Sequence, residues 1–325
     1  MLTYLVRRLL YAIPILLGVN LLTFVLFFFV SSPESMARRI NGEKASPAVL
    51  KSWMRQHGYD LPRLYNPAEQ GMSTLTQTIF FQKSVRLLRF EFGRSDRENV
   101  DIGGEIRRRM MPSLSFTVPT FLLGLFIEIT LSMLVAFYRG TYIDVAALIL
   151  CVLLMSIAGM FYIIGGQYLV GTWLKLTPIS GYEAGLAGIK FVVTPVLIGI
   201  LSGLGGEVRF NRTIFLEEIN KDYVRTARAK GLSETRVLFL HVLKNAMIPI
   251  LTHVVFAIPF LFTGALMTES FFGIPGLGGF TIDAIRGEDF AIVRSMVYLG
   301  SVLYIIGQIL TDLSYTLVDP RVRLG

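Results

Sequence analysis

Six apolar runs, each long enough to cross a bilayer, limit what this chain can fold into more than any other feature. A crossing takes about 20 mainly apolar residues at a rise of about 1.5 Å each. Runs of that kind fall near 9–30, 113–137, 145–170, 189–208, 246–268 and 291–317. Inside hydrocarbon every backbone N–H and C=O must be satisfied within the protein, which leaves only helices or closed barrels. These runs are continuous rather than alternating in roughly ten-residue segments, so they predict helices and not an outer-membrane barrel. The first, LLYAIPILLGVNLLTFVLFFFV, is longer than a usual signal-peptide core and lacks a small-x-small exit, so it is expected to stay as an anchor. The expected fold class is an all-α integral membrane protein with six transmembrane helices, in keeping with 53% apolar residues and a mean hydropathy of +0.59.

The net charge of +8, from 31 basic and 23 acidic residues, acquires meaning only from its positions. Basic residues collect in short cytoplasmic segments of membrane proteins. With a cytoplasmic N-terminus the inside set is Arg7, Arg8, Arg139, eight Lys/Arg within 209–245, Arg321 and Arg323, against Lys175, Lys190 and Arg286 in short outside loops. This orientation puts both termini in the cytoplasm. It assigns residues 1–30 to the cytoplasmic N-terminus and first helix, 31–112 to an extracytoplasmic segment, 113–317 to a membrane core, and 318–325 to a cytoplasmic tail. The 31–112 segment is also basic, but long translocated segments are exempt from the rule. Its SSPESMARR and WMRQHGYDLPRLYNP stretches read as a short amphipathic helix and a Pro-interrupted extended stretch, with a solvated mixed-charge surface. An outward-facing basic segment does not meet intracellular nucleic acid, and no nucleic-acid partner is expected.

Enzyme signatures are missing from the sequence. Cys151 is the single cysteine and sits in ALILCVLLM, which excludes an intrachain disulfide and predicts a small buried apolar residue. His57, His241 and His253 are dispersed, and neither a GxSxG nor a GxxxxGK[ST] pattern occurs. Glu128, His253 and Asp312 fall within apolar runs, where an ionisable side chain belongs to the bundle interior or a water-lined path. They are the candidate translocation-path residues, with a buried interhelical hydrogen bond as the other reading. The ESFFGIPGLGGF loop after the fifth run reads either as a tight re-entrant turn or as an outer gate or binding-protein contact, and the acids of 269–290 read as solvated, with a bias for cationic peptide termini as the other reading.

The most informative polar stretch is FNRTIFLEEINKDYVRTARAKGLSETRVLFLHVLKNAMIP, between the fourth and fifth runs. Ile214, Leu216, Ile219 and Tyr223 recur at helical spacing, as do Val237, Leu240 and Leu243. Gly231 divides the two helices, and Ser233 with Thr235 is placed to cap the second. Such an element can dock in a groove of a cytoplasmic protein, with small Ala227 and Ala229 for close approach and Arg228 and Lys230 at the rim. The plainer reading is a solvated positive-inside loop.

DYVRTARAKGLSETRVLFLHVLKNAMIP closely resembles the EAA loop of binding-protein-dependent ABC transporter permeases, in the form typical of the oligopeptide and dipeptide subfamily. Ala227 and Gly231 match the general signature, whereas Arg225 replaces its Glu and His241 a later Ile. The ARAKG core with His241, Asn245 and Pro249 is similar to the peptide version. YLVRRLLYAIPILLGVNLLTF, FEFGRS at 90–95, TPISGY at 177–182, ESFFGIPGLGGF at 269–280 and DLSYTLVDPRVR at 312–323 extend the resemblance over almost the whole chain.

The resemblance implies a type I importer permease fold whose 209–245 loop carries a coupling helix. Tyr223, Arg225, Ala227, Arg228, Ala229, Lys230, Gly231, Leu232 and Ser233 would meet the ATPase. It implies no catalytic site and no cofactor on this chain, with ATP and Mg held by two cytoplasmic ABC ATPase subunits. A second homologous permease subunit, an extracytoplasmic solute-binding protein, a peptide substrate and the lipid bilayer are the other implied partners. Related permeases carry nickel or its chelates, glutathione or peptide-like antibiotics, and a non-transporting membrane sensor of the same fold is a further alternative. An ion channel fits least, since no filter sequence is evident.

Overall fold

The computed structural model describes the backbone of residues 2–318 and the side chains of 7–313. The expected cytoplasmic tail, with Arg321 and Arg323, lies outside the described residues apart from Val318. Helices dominate, and among the described residues the single β-bridge joins Arg94 and Asp101. Five helical stretches are long and apolar enough to cross a membrane: Arg7–Val30, Ile102–Phe137, Leu186–Ile219, Glu234–Thr263 and Phe290–Leu313. A sixth crossing is available only if Tyr142–Ser156 and Gly159–Trp173, bent by 89°, act as one broken span.

Several boundaries differ from the sequence reading, and for one recurring reason. The second helix begins at Ile102 rather than 113, carrying three arginines, and the fourth runs from Ile189 to Ile219 instead of stopping near 208. Polarity ends a hydrocarbon crossing but does not end a helix. The fifth reaches only Thr263, after which Gly264 at φ +75° breaks the chain before a separate helix Leu266–Phe272.

The chain divides into two compact units, residues 1–110 with 280–306 and residues 111–279 with 307–325. In the first unit, two helices follow the N-terminal span where one was expected. Pro33–Asn41 and Pro47–His57 both start with proline behind a serine cap, Ser32 and Ser46, whose hydroxyl oxygens accept the N–H of Ser35 and Val49. Phe24 and Phe28 from the span pack with Met36, Leu50, Trp53, Tyr59 and Ile79. The segment after the first span is thus built on an apolar core that it shares with the end of that span.

In the second unit, Tyr142–Ser156 lies against Ile189–Ile219. Gly205 permits the approach, since a Cβ there would stand 2.5 Å from the carbonyl oxygen of Cys151. Cys151 is buried and free. Arg212 closes the same pair with a bidentate contact to Asp144 at 2.9 and 2.8 Å. Small residues and one charge-assisted pair thereby fix two apolar helices that have no hydrophobic preference for each other over lipid.

Candidate functional site

The loop between the fourth and fifth spans contains a short helix, Asp222–Ala229, with a break on each side. The sequence reading had Ile214 to Tyr223 on one helix; the structure ends that helix at Ile219 and puts Tyr223 on the next. Asn220 makes the first break, holding the carbonyl of Leu216 and receiving the guanidinium of Arg139 at 2.8 Å. The second break follows Lys230. The Gly231 N–H bonds the carbonyl of Arg228 at 2.9 Å and the Leu232 N–H that of Ala227 at 3.4 Å, which together make a Schellman stop. Gly231 supplies the left-handed backbone this needs, at φ +77°, with open space where a Cβ would sit. Ser233 has the extended backbone of an N-cap but makes no capping bond with its side chain, contrary to the sequence reading.

The helix presents two faces. Val224 and Ala227 are buried among Phe215, Ile219, Val237, Val242, Ala246 and Ile250, with Leu232 and Tyr223 partly buried beside them. Arg225, Arg228, Ala229, Lys230, Gly231 and Ser233 are exposed. The reading of Ala227 as an opening for a partner is therefore corrected: its small side chain lets the helix approach its own scaffold. The exposed charges are ordered by local pairs. Arg228 spans the break to grip Glu234 at 2.8 and 3.0 Å, and Arg225 reaches Asp222 at 3.3 Å. Tyr223 donates its hydroxyl to the buried Glu218 at 2.5 Å. Burial first, and then this carboxylate, push the Tyr223 phenol well above its ordinary range, so it stays a donor.

A cleft of about 220 Å³ opens between three of the membrane-crossing helices. Thr120, Gly124 and Glu128 line one wall, Gly199, Gly203, Glu207 and Asn211 a second, and Ile250, His253, Val254 and Ala257 a third. The structure thus brings together Glu128 and His253 but not Asp312, which is not among the lining residues. Glu207 was missed; it stands 3.6 Å from the Nδ1 of His253, whose ring also meets Phe210 at 5.3 Å. A signal for it was present. Glu128 follows Gly124 by four residues and Glu207 follows Gly203 by four, so each acid shares a helix face with a glycine one turn earlier.

The ESFFGIPGLGGF loop is organised by Glu269, which is fully buried rather than solvated. Its carboxylate accepts the Ser113 hydroxyl at 2.7 Å and the N–H groups of Gly279 and Ala265 at 2.8 and 3.3 Å. Burial raises its pKa against those donors. A Cβ on Gly276 would stand 2.5 Å from the Ser113 hydroxyl, so that glycine makes room for the carboxylate. Asp289 is likewise buried and takes the Ser95 hydroxyl and the Asp96 N–H.

Comparison with known proteins bears on the whole chain. Residues 109–324 match the family described as the binding-protein-dependent transport system inner membrane component, and residues 1–116 match the N-terminal part of such membrane components. A putative peptide transport system permease protein of Brucella abortus is 30% identical, covering 98% of this chain and 98% of its own length. An oligopeptide transport system permease protein of Bacillus subtilis is 27% identical over 99% of this chain and all of its own length. A glutathione transport system permease protein of Shigella flexneri is 29% identical, with 99% of each chain covered. With its apolar helices, glycine-stopped loop helix and interhelical cleft, the chain belongs to the binding-protein-dependent transport system inner membrane components, as a multi-pass permease subunit of an ATP-binding-cassette importer.

Proposed function

We propose that this permease imports peptides across the inner membrane as one of two homologous permease subunits. Its N-terminus and 209–245 loop face the cytoplasm, and the bent pair 142–173 crosses as one broken span. The observation that carries the reading is a loop helix fixed on one face and free on the other. Val224 and Ala227 lock it into the core, while Arg225, Arg228, Ala229 and Lys230 stand exposed beside the Gly231 turn. An ABC ATPase holding ATP and Mg would grip that exposed face, from Tyr223 to Ser233, and a second ATPase would hold the other permease.

A rigid contact of this kind can transmit displacement. Ile250 belongs both to the core that seats the loop helix and to the wall of the cleft. Motion of the loop helix when the ATPases close would be carried through Val237, Val242 and Ala246 to the span that bears Ile250 and His253, and would reshape the cleft. Glu128 and Glu207 suit the ammonium terminus of a peptide released by an extracytoplasmic binding protein. Asp312 would act elsewhere on the path.

Reconstitution of the complex purified from its native membrane tests this reading. The expected result is copurification of ATPase subunits and a second permease, with ATP-dependent uptake of labelled di- to pentapeptides. Uptake of glutathione or a nickel chelate alone would replace the substrate class, in line with the glutathione permease relative. An absence of both ATPase and uptake would sink the transporter assignment in favour of a sensor.

A further inference from the structure

The first unit holds a group of basic side chains that transport as proposed does not use. Arg294 is only 3% exposed, and its Nε is buried without a hydrogen-bond partner. Its guanidinium lies 5.3 Å over the ring of Phe28. Stacking of that kind engages the flat face of the group and leaves its in-plane N–H donors directed outward. Arg294 also lines a cavity of about 190 Å³ together with Lys83, Arg86, Arg94, Gln82 and Glu91.

The balance of charge in this cavity is one-sided. Four cationic side chains face one acid, and Glu91 is already at 4.0 Å from Arg86. Lys83 stands 4.8 Å over the ring of Tyr59 and makes no ion pair among the described residues. The buried Asp96 attracts both Lys83 and Arg294, but its oxygens are hydrogen-bonded to the Tyr59 hydroxyl at 2.7 and 2.9 Å and to the Ala291 N–H at 3.1 Å rather than to either cation. Burial, reinforced by Arg294 and Arg86 and opposed by Asp96, lowers the Lys83 pKa to about 8. A cation cluster that its own acids balance only in part, in a polar cavity, favours an added anion.

We infer that this cavity binds a phosphate group, gripped by Arg294 and Lys83 from within and by Arg94 at the rim. Phosphate fits better than a carboxylate because it carries up to two charges and enough oxygens for several donors at once. Position in the fold points to its source. Arg294 is the fifth residue of the helix Phe290–Val318, about 6 Å from the start of an apolar span. That places the cavity near one end of an apolar span, on the side where polar headgroups begin, so the phosphate belongs to an anionic phospholipid or to a free phosphate reaching the same boundary.

Thermal unfolding of the intact purified complex tests the inference. Potassium phosphate is titrated against potassium chloride at equal ionic strength, and phosphatidylglycerol against phosphatidylcholine in mixed micelles. A rise of several degrees with inorganic phosphate supports a free anion, and a rise with phosphatidylglycerol alone supports a headgroup. Arg294→Gln should abolish the shift. Arg94→Gln, at an exposed position where folding is not at stake, should raise the half-maximal concentration about tenfold, the loss of one charge-assisted contact. No rise with either probe, or an unchanged half-maximal concentration in Arg94→Gln, would overturn the assignment.

Discussion

At the scale of single residues, Gly231 separates what a backbone requires from what a partner requires. Its φ of +77° costs an L-residue about 1–2 kcal/mol, while the space around it is open. Gly231→Asn, which tolerates the left-handed region, is therefore expected to keep most transport. Gly231→Val should lower the melting temperature of the complex and most of the uptake with it, because the Schellman stop unwinds. Equal loss in both variants would instead assign the glycine to partner contact. The need for glycine here was legible in the sequence, since ARAKG followed by Leu, Ser and Glu is a helix stop and restart. Other residues were not legible. Ala227 looks the same in a sequence whether its close neighbour is its own core or another protein. Glu269 and Asp289 read as loop acids because their partners, Ser113 and Ser95, lie 156 and 194 residues away. The local N–H groups of Ala265 and Gly279 that also hold Glu269 are backbone donors, which any sequence supplies, so neither they nor the distant hydroxyls mark a buried carboxylate.

At the scale of elements, the loop helix is held by a stiff inner face and trimmed by exposed ion pairs. The Arg228–Glu234 pair is well formed, but an exposed pair contributes about 0–1 kcal/mol. Arg228→Ala should thus leave the melting temperature within about 2 °C of the parent. If the exposed face engages the ATPase, ATP-driven uptake should fall at least tenfold in the same variant, and parallel measurement of the two separates docking from folding. Uptake at the parental rate would remove Arg228 from the contact. Helix existence followed from periodicity, whereas helix ends did not. Ile189–Ile219 continues past its apolar part because Asn211, Phe215 and Glu218 keep one face buried after lipid has ended. Nor could hydropathy register the bend between Ser156 and Gly159, since both arms are equally apolar.

At the scale of the whole chain, the number of crossings decides which side each end faces. Five spans would separate the termini and six would return them to one side. The single buried Cys151 makes a clean background for testing this, once replaced by alanine. Met72→Cys, at a position 86% exposed, should react with an impermeant maleimide in spheroplasts. Ser233→Cys should react only after permeabilisation, and a cysteine appended to the C-terminus should behave like Ser233→Cys if the bent pair crosses. Opposite behaviour of the appended cysteine would reduce the count to five. The bend has a consequence for the surrounding lipid as well. Tyr142–Ser156 has 15 residues and is about 22 Å long, against a hydrocarbon thickness of about 30 Å. Neither arm alone matches the membrane, so the acyl chains beside it must tilt or shorten, at a fraction of a kcal/mol for each ångström of mismatch. Acyl-chain length thereby becomes a physical input to this transporter, set by a bend that no charged residue marks.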